Sequence, residues 1–178
     1  SKHSFPFSPN FSKNRFFFKE PKRGDVVVFK TPTDNRTDFI KRLIGLPGDE
    51  IQFIDGDLYI NNNQVIKTKI KNFNEKFNCG NINNNCEAYI EKLPSGVTYA
   101  TIYNQQDTRW NDSDKYIVPK DHYFFLGDNR DNSADSRYLS KVGYVNKLNL
   151  VGRARIIFFS NDKKKGNFFE FWRWHKSI

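Results

Sequence analysis

Short apolar runs bounded by turn residues punctuate this chain. Val26-Val27-Val28-Phe29, set between Gly24 and Pro32, reads as a buried strand. Asp38 to Ile44 is too short and too β-branched for a helix. Taken as a strand, it puts Phe39, Lys41 and Leu43 on one face and Ile40, Arg42 and Ile44 on the other. Gly45-Leu46-Pro47-Gly48-Asp49 ends it with turn chemistry. Ile51 to Ile54 and Leu58 to Ile60 flank Asp55-Gly56-Asp57, a hairpin signal, and Asn61-Asn62-Asn63 turns the chain again before Gln64-Val65-Ile66. Residues 67 to 115 are richer in Asn and Lys and poorer in aliphatic residues, which predicts an insertion. Order returns at Tyr116-Ile117-Val118-Pro119, Tyr123 to Leu126 reads as another buried strand, and Leu150 to Phe159 as the last. Residues 1 to 20 read as irregular, with one short strand at Arg15 to Phe18. The pattern predicts a mainly β chain whose core is split by an inserted subdomain.

Composition narrows the picture only modestly. The formal net charge is +9, but the cations are scattered apart from Lys163-Lys164-Lys165, so most read as ordinary solvated side chains and nucleic acid is not the expected partner. The chain contains no Met, which predicts that Ser1 is not a translated start and that the chain is trimmed. No run approaches the roughly 20 apolar residues that span a bilayer, and no signal-peptide pattern occurs. The end, Asn167 to Ile178, mixes Phe and Trp with basic residues, which suits either a core-docking tail or a membrane interface. Cys79 and Cys86 are the only cysteines; with no His nearby in sequence, they make a poor zinc site, and no metal is expected. A disulfide between them fits an oxidising compartment, and two free surface thiols are the alternative.

Gly127 to Arg137, Gly-Asp-Asn-Arg-Asp-Asn-Ser-Ala-Asp-Ser-Arg, is too polar for a core element, yet it directly follows a buried strand. A polar loop at the end of a rigid strand is a usual place for chemistry. The second signal is Lys41, set on an apolar strand face. Burial lowers the pKa of an ammonium, and a lysine so treated serves as a general base. Arg42 stays charged and requires an acid partner. The bland alternative is a Lys41 that snorkels to solvent from an edge strand.

Arg23 to Phe29, Asp38 to Asp49, Gly127 to Arg137 and Leu150 to Ala154 closely resemble, in order and spacing, successive signature segments of the bacterial type I signal peptidases. These are Ser-Lys membrane endopeptidases. The resemblance implies a split antiparallel β-sheet catalytic core, residues 1–49 and 123–178, with a smaller β subdomain inserted at 50–122. It puts Lys41 on the general base and Ser133 on the hydroxyl that orients it. It puts Asp128 with Arg42 and Asp135 with Arg137 on two supporting ion pairs. Val28, Asp38, Phe39 and Ile40 match positions lining a shallow substrate groove, where a signal peptide with small residues before the cut (Ala-x-Ala) lies extended. The cysteine pair resembles one found in the insertion of some members. No cofactor is implied. The implied partners are signal peptides of exported preproteins and a lipid surface, with the catalytic domain on the extracytoplasmic side of the bacterial inner membrane. The family's nucleophile sits in a Ser-Met-x-Pro motif, which this chain lacks; Ser4-Phe5-Pro6 and Ser8-Pro9 read as linker. The expectation is therefore that the serine and the anchor lie upstream and that this chain alone is inactive. The rivals are a self-cleaving repressor-type Ser-Lys protease and a catalytically dead β-rich binding module.

Overall fold

The computed structural model describes residues 20–71, 86–104 and 107–154. The strand expected at Arg15 to Phe18, the aromatic tail, the lysine triplet and Cys79 lie outside the described residues. Among the described residues the chain forms twelve strands. They are β1 (Val26–Lys30), β2 (Asp38–Gly45), β3 (Glu50–Ile54), β4 (Asp57–Ile60), β5 (Asn63–Gln64), β6 (Ile66–Lys69), β7 (Cys86–Lys92), β8 (Thr98–Asn104), β9 (Tyr116–Ile117), β10 (His122–Leu126), β11 (Val145–Asn146) and β12 (Leu150–Arg153). The fold is mainly β, with antiparallel pairing between all these neighbours.

Three sheets result, ordered β11-β10-β2-β1-β12, β5-β4-β3-β9 and β6-β7-β8. Local chemistry sets their turns. Asp55 and Gly56 both take positive φ, 50° and 76°, as a two-residue hairpin turn requires. Asn61 and Asn62 do the same between β4 and β5, at 52° and 62°. The Gln64-Val65-Ile66 run is divided between β5 and β6, with Val65 between them giving its N–H to Leu58. The last strand is described as far as Arg153, followed by one more bond from Ala154 N–H to the Val26 carbonyl.

The five-stranded sheet is covered on both faces, because its central strands alternate between two cores. Leu43, Tyr123 and Phe125 join Val27, Phe29, Val142, Val145 and Leu150. Ile44, Phe124 and Leu126 point the other way and join Ile51, Phe53, Leu58, Ile60, Val65, Leu93, Tyr99 and Val118. This second cluster crosses the boundaries expected at residues 49/50 and 122/123. The first sheet therefore holds β2 and β10 rigidly side by side, and the polar segment 127–137 leaves from the end of β10.

Candidate active site

The polar segment is a folded loop tied to its own strand. Ser136 donates its backbone N–H to the Phe125 carbonyl, and its hydroxyl accepts from Phe125 N–H at 2.9 Å. Asp135 accepts from Gly127 N–H at 3.0 Å. The turn between them lays Ser133 over Gly127, close to the end of the Lys41 side chain. Lys41 Nζ donates to Ser133 Oγ at 2.8 Å, and Ser133 is only 9% exposed. A Cβ at position 127 would lie 2.0 Å from Ser133 Oγ and 3.5 Å from Lys41 Nζ. Glycine is needed here for space rather than for backbone conformation.

Two arginine–carboxylate pairs brace this contact. Arg42 makes a two-pronged pair with Asp128, at 2.8 and 2.7 Å, and donates a third bond to the Gly24 carbonyl. Arg137 pairs with Asp135 through two bonds of 2.9 Å and donates another to the Arg130 carbonyl. The Arg137 guanidinium also lies over the Phe53 and Trp110 rings, at 5.5 and 5.0 Å. Burial holds the Lys41 ammonium below its ordinary value of 10.5. The Asp135 and Asp128 carboxylates pull it back up, and Arg137 pushes it down again.

The residues matched to a groove divide between the faces of the β1–β2 ladder. Val28 and Ile40 are partners in register and share one face, with Ile40 53% exposed. Phe39 lies on the other face with Lys41, its ring 5.6 Å from Nζ and packed against Phe29. Asp38 is exposed and paired with Lys30 at 3.1 Å. The ladder from β2 to β10 ends at Arg42, so among the described strands Asp38 to Lys41 are paired on the β1 side only.

Sequence reasoning missed what stands behind the loop. Residues 128–131 run alongside β8: Ile102 N–H donates to the Asp128 carbonyl, and Arg130 N–H to the Ile102 carbonyl, both at 2.9 Å. Asn104 N–H adds a bond to the Asp131 carboxylate at 2.7 Å. The Arg130 side chain, fully buried, enters a polar cluster formed by Glu91, Tyr99 and Tyr103. An Arg and a Glu on separate segments carry no mark of burial in sequence. The one available signal was Arg130 itself, lying inside the loop already singled out.

Cys86 is buried and disulfide-bonded, packed against Ile102; its expected partner Cys79 lies outside the described residues. Among the described residues no group of three or more His, Cys, Asp or Glu is placed to hold a metal.

The family model described as "Signal peptidase, peptidase S26" matches residues 4–159. A signal peptidase I from Rickettsia akari (strain Hartford) is 41% identical over 165 residues, covering 88% of this chain. One from Rickettsia canadensis (strain McKiel) is 42% identical over the same length. The chain spans 58% of the length of these relatives. A crystal structure of a signal peptidase I from Enterococcus faecalis V583 matches with 28% identity and a TM-score of 0.44, covering 76% of this chain and 97% of that one.

Proposed function

The chain belongs to the signal peptidase, peptidase S26 family, and on that premise we propose that it is the base-bearing part of a Ser-Lys endopeptidase that removes signal peptides from exported preproteins. The observation that carries this reading is the amine of Lys41, half-buried and held at 2.8 Å by Ser133. A lysine whose ammonium is disfavoured by burial loses its proton at lower pH and is able to accept one from an alcohol.

The mechanism follows from that geometry. Neutral Lys41 takes the proton of a serine hydroxyl as its oxygen attacks the carbonyl after a small residue. Residues 1–178 contain no Ser-Met-x-Pro motif to carry that serine. Ser133 accepts one hydrogen of the amine, which restrains the amine and leaves its lone pair to face the nucleophile. The protonated lysine then gives its proton to the departing amine. Water, deprotonated by the same lysine, releases the acyl group. Arg42 with Asp128 and Arg137 with Asp135 act by holding the loop and β2 in register.

The substrate adds as an extended strand along Asp38 to Lys41, bound through backbone groups, and Val28, Phe39 and Ile40 select small side chains before the cut. Among the described residues no helix is long and apolar enough to cross a membrane. We place the site at the extracytoplasmic face of the bacterial inner membrane, next to the lipid surface from which preproteins emerge, with a Cys79–Cys86 disulfide suited to that compartment. The test uses the full gene product and a preprotein carrying an Ala-x-Ala site. Processing by the unsubstituted enzyme, its loss to background with Lys41→Ala, and no turnover by the 178-residue chain alone are the expected results. Processing that survives Lys41→Ala removes the base from its role.

A further inference from the structure

Both ion pairs that brace Lys41 lead back to one carboxylate on β7. Glu91 is 1% exposed, and its oxygens accept from Arg130 Nη2 at 2.6 Å, Tyr99 OH at 2.7 Å and Tyr103 OH at 2.7 Å. Thr101 adds a longer bond of 3.4 Å. From this hub one route runs through Tyr99, whose ring lies 4.2 Å from the Arg42 guanidinium, itself paired with Asp128. The other runs through Arg130, whose backbone carbonyl accepts from Arg137, itself paired with Asp135. The Glu91 carboxylate is sealed from solvent, and among the described residues this set of donors compensates it. Burial alone would push the carboxyl up, but Arg130 and the bonds from Tyr103, Arg130 and Tyr99 outweigh it and hold it below its ordinary value. The two charges of the cluster balance and both Glu91 oxygens are bonded, while Arg130 Nε is buried without a partner among the described residues. The carboxylate is the bonded centre through which such a network holds its geometry.

We propose that Glu91 is a positioning residue for the lysine chemistry, acting through Tyr99 and Arg130 on the two arginine–carboxylate pairs that set Lys41 against Ser133. The inserted β7–β8 hairpin is then a working part of the site. The inference rests on the peptidase reading, because it matters only if the state of Lys41 does. Lys41 is faced by Ser133, Asp128, Asp135 and Arg137 from the loop and by Phe39 from its own strand. Glu91 is faced by Arg130 from the loop and by Tyr99, Thr101 and Tyr103 from β8. Neither touches the other, so a positioning effect of Glu91 on Lys41 has to travel through these groups.

The sign of that effect separates positioning from bare charge. Removing the negative charge of Glu91 leaves the Arg130 guanidinium in excess, and through space alone an added cation pushes the Lys41 amine further down. A loosened loop admits water to Lys41 and moves it up. The experiment follows the pH dependence of Lys41 acylation by acetic anhydride in the 178-residue chain, read by mass spectrometry, because only the neutral amine reacts. In Glu91→Gln the midpoint is expected to rise by about one pH unit. In Tyr99→Phe, which keeps the ring over Arg42 and deletes one donor, it rises by a smaller amount. A midpoint that stays put or falls overturns the proposal; should Glu91→Gln not fold, Tyr99→Phe decides alone. A midpoint near 10.5 in the unsubstituted chain would instead overturn the peptidase reading, so the two failures are distinct.

Discussion

The lysine at the centre of the site has a cost that can be measured without any substrate. In the unfolded chain its amine titrates near 10.5, whereas burial lowers that value in the fold. Between the folded and unfolded values the unfolded chain binds more protons, so stability rises with pH across that window. Below the window the charged amine is a fixed penalty. Lys41→Met, which keeps the chain length and removes the charge, is therefore expected to melt at a higher temperature than the unsubstituted chain at pH 7. The gap should narrow as the pH climbs toward 10.5, as followed by thermal unfolding across that range. A constant gap would mean that Lys41 ionises as freely folded as unfolded. That a cation stands on an apolar strand face was legible, because Phe39 and Leu43 share that face with Lys41. The need for Gly127 was not. Its constraint comes from the Ser133 hydroxyl, which the loop folds back to within 2.0 Å of where a Cβ would stand.

At the scale of elements, β2 and the loop are joined by a pair that is nearly dry on one side. The Arg42 side chain is 7% exposed and that of Asp128 22%, and the two-pronged geometry spans residues 86 apart in sequence. Removing one partner of a buried pair leaves the other without its compensating charge. Asp128→Asn is expected to cost about 3 kcal/mol, read as a shift in the urea midpoint with an unchanged slope. A loss well below 1 kcal/mol would make the pair a surface ornament. The elements themselves were readable where alternation and turn chemistry agreed. Val26 to Phe29, Asp38 to Ile44 and the Asp55-Gly56 hairpin all sit where the pattern puts them, because each is specified within a few residues. The hairpin β7–β8 was not readable as a support for the loop. In β7, Glu87 and Glu91 are equally acidic in sequence, yet Glu87 is half-buried beside Lys69 and Tyr89 while Glu91 is sealed beneath Arg130. Contacts with Tyr99 and Tyr103 across the hairpin and with Arg130, 39 residues away, distinguish them.

At the scale of the whole molecule, one buried cluster among the described residues draws on both sides of the boundaries expected between a core and an insertion. Phe53 and Leu58 belong to the insertion by sequence, yet they share one buried cluster with Ile44, Phe124 and Leu126 of the five-stranded sheet. Phe53 also lies beneath the Arg137 guanidinium, so the insertion's core supports the second ion pair directly. Two units joined by a common apolar interior lose that interior together. Phe53→Ala opens a cavity at a fully buried position and is expected to cost about 3–5 kcal/mol. The same substitution should move to one common, lower denaturant concentration both the change in Trp110 fluorescence and the loss of protection of Lys41 from acylation. Trp110 reports from beside Tyr138 and Arg137, and Lys41 from the central sheet. Two separated transitions, with only the first moved by Phe53→Ala, would show that the insertion stands on its own and that the cluster does not couple it to the site.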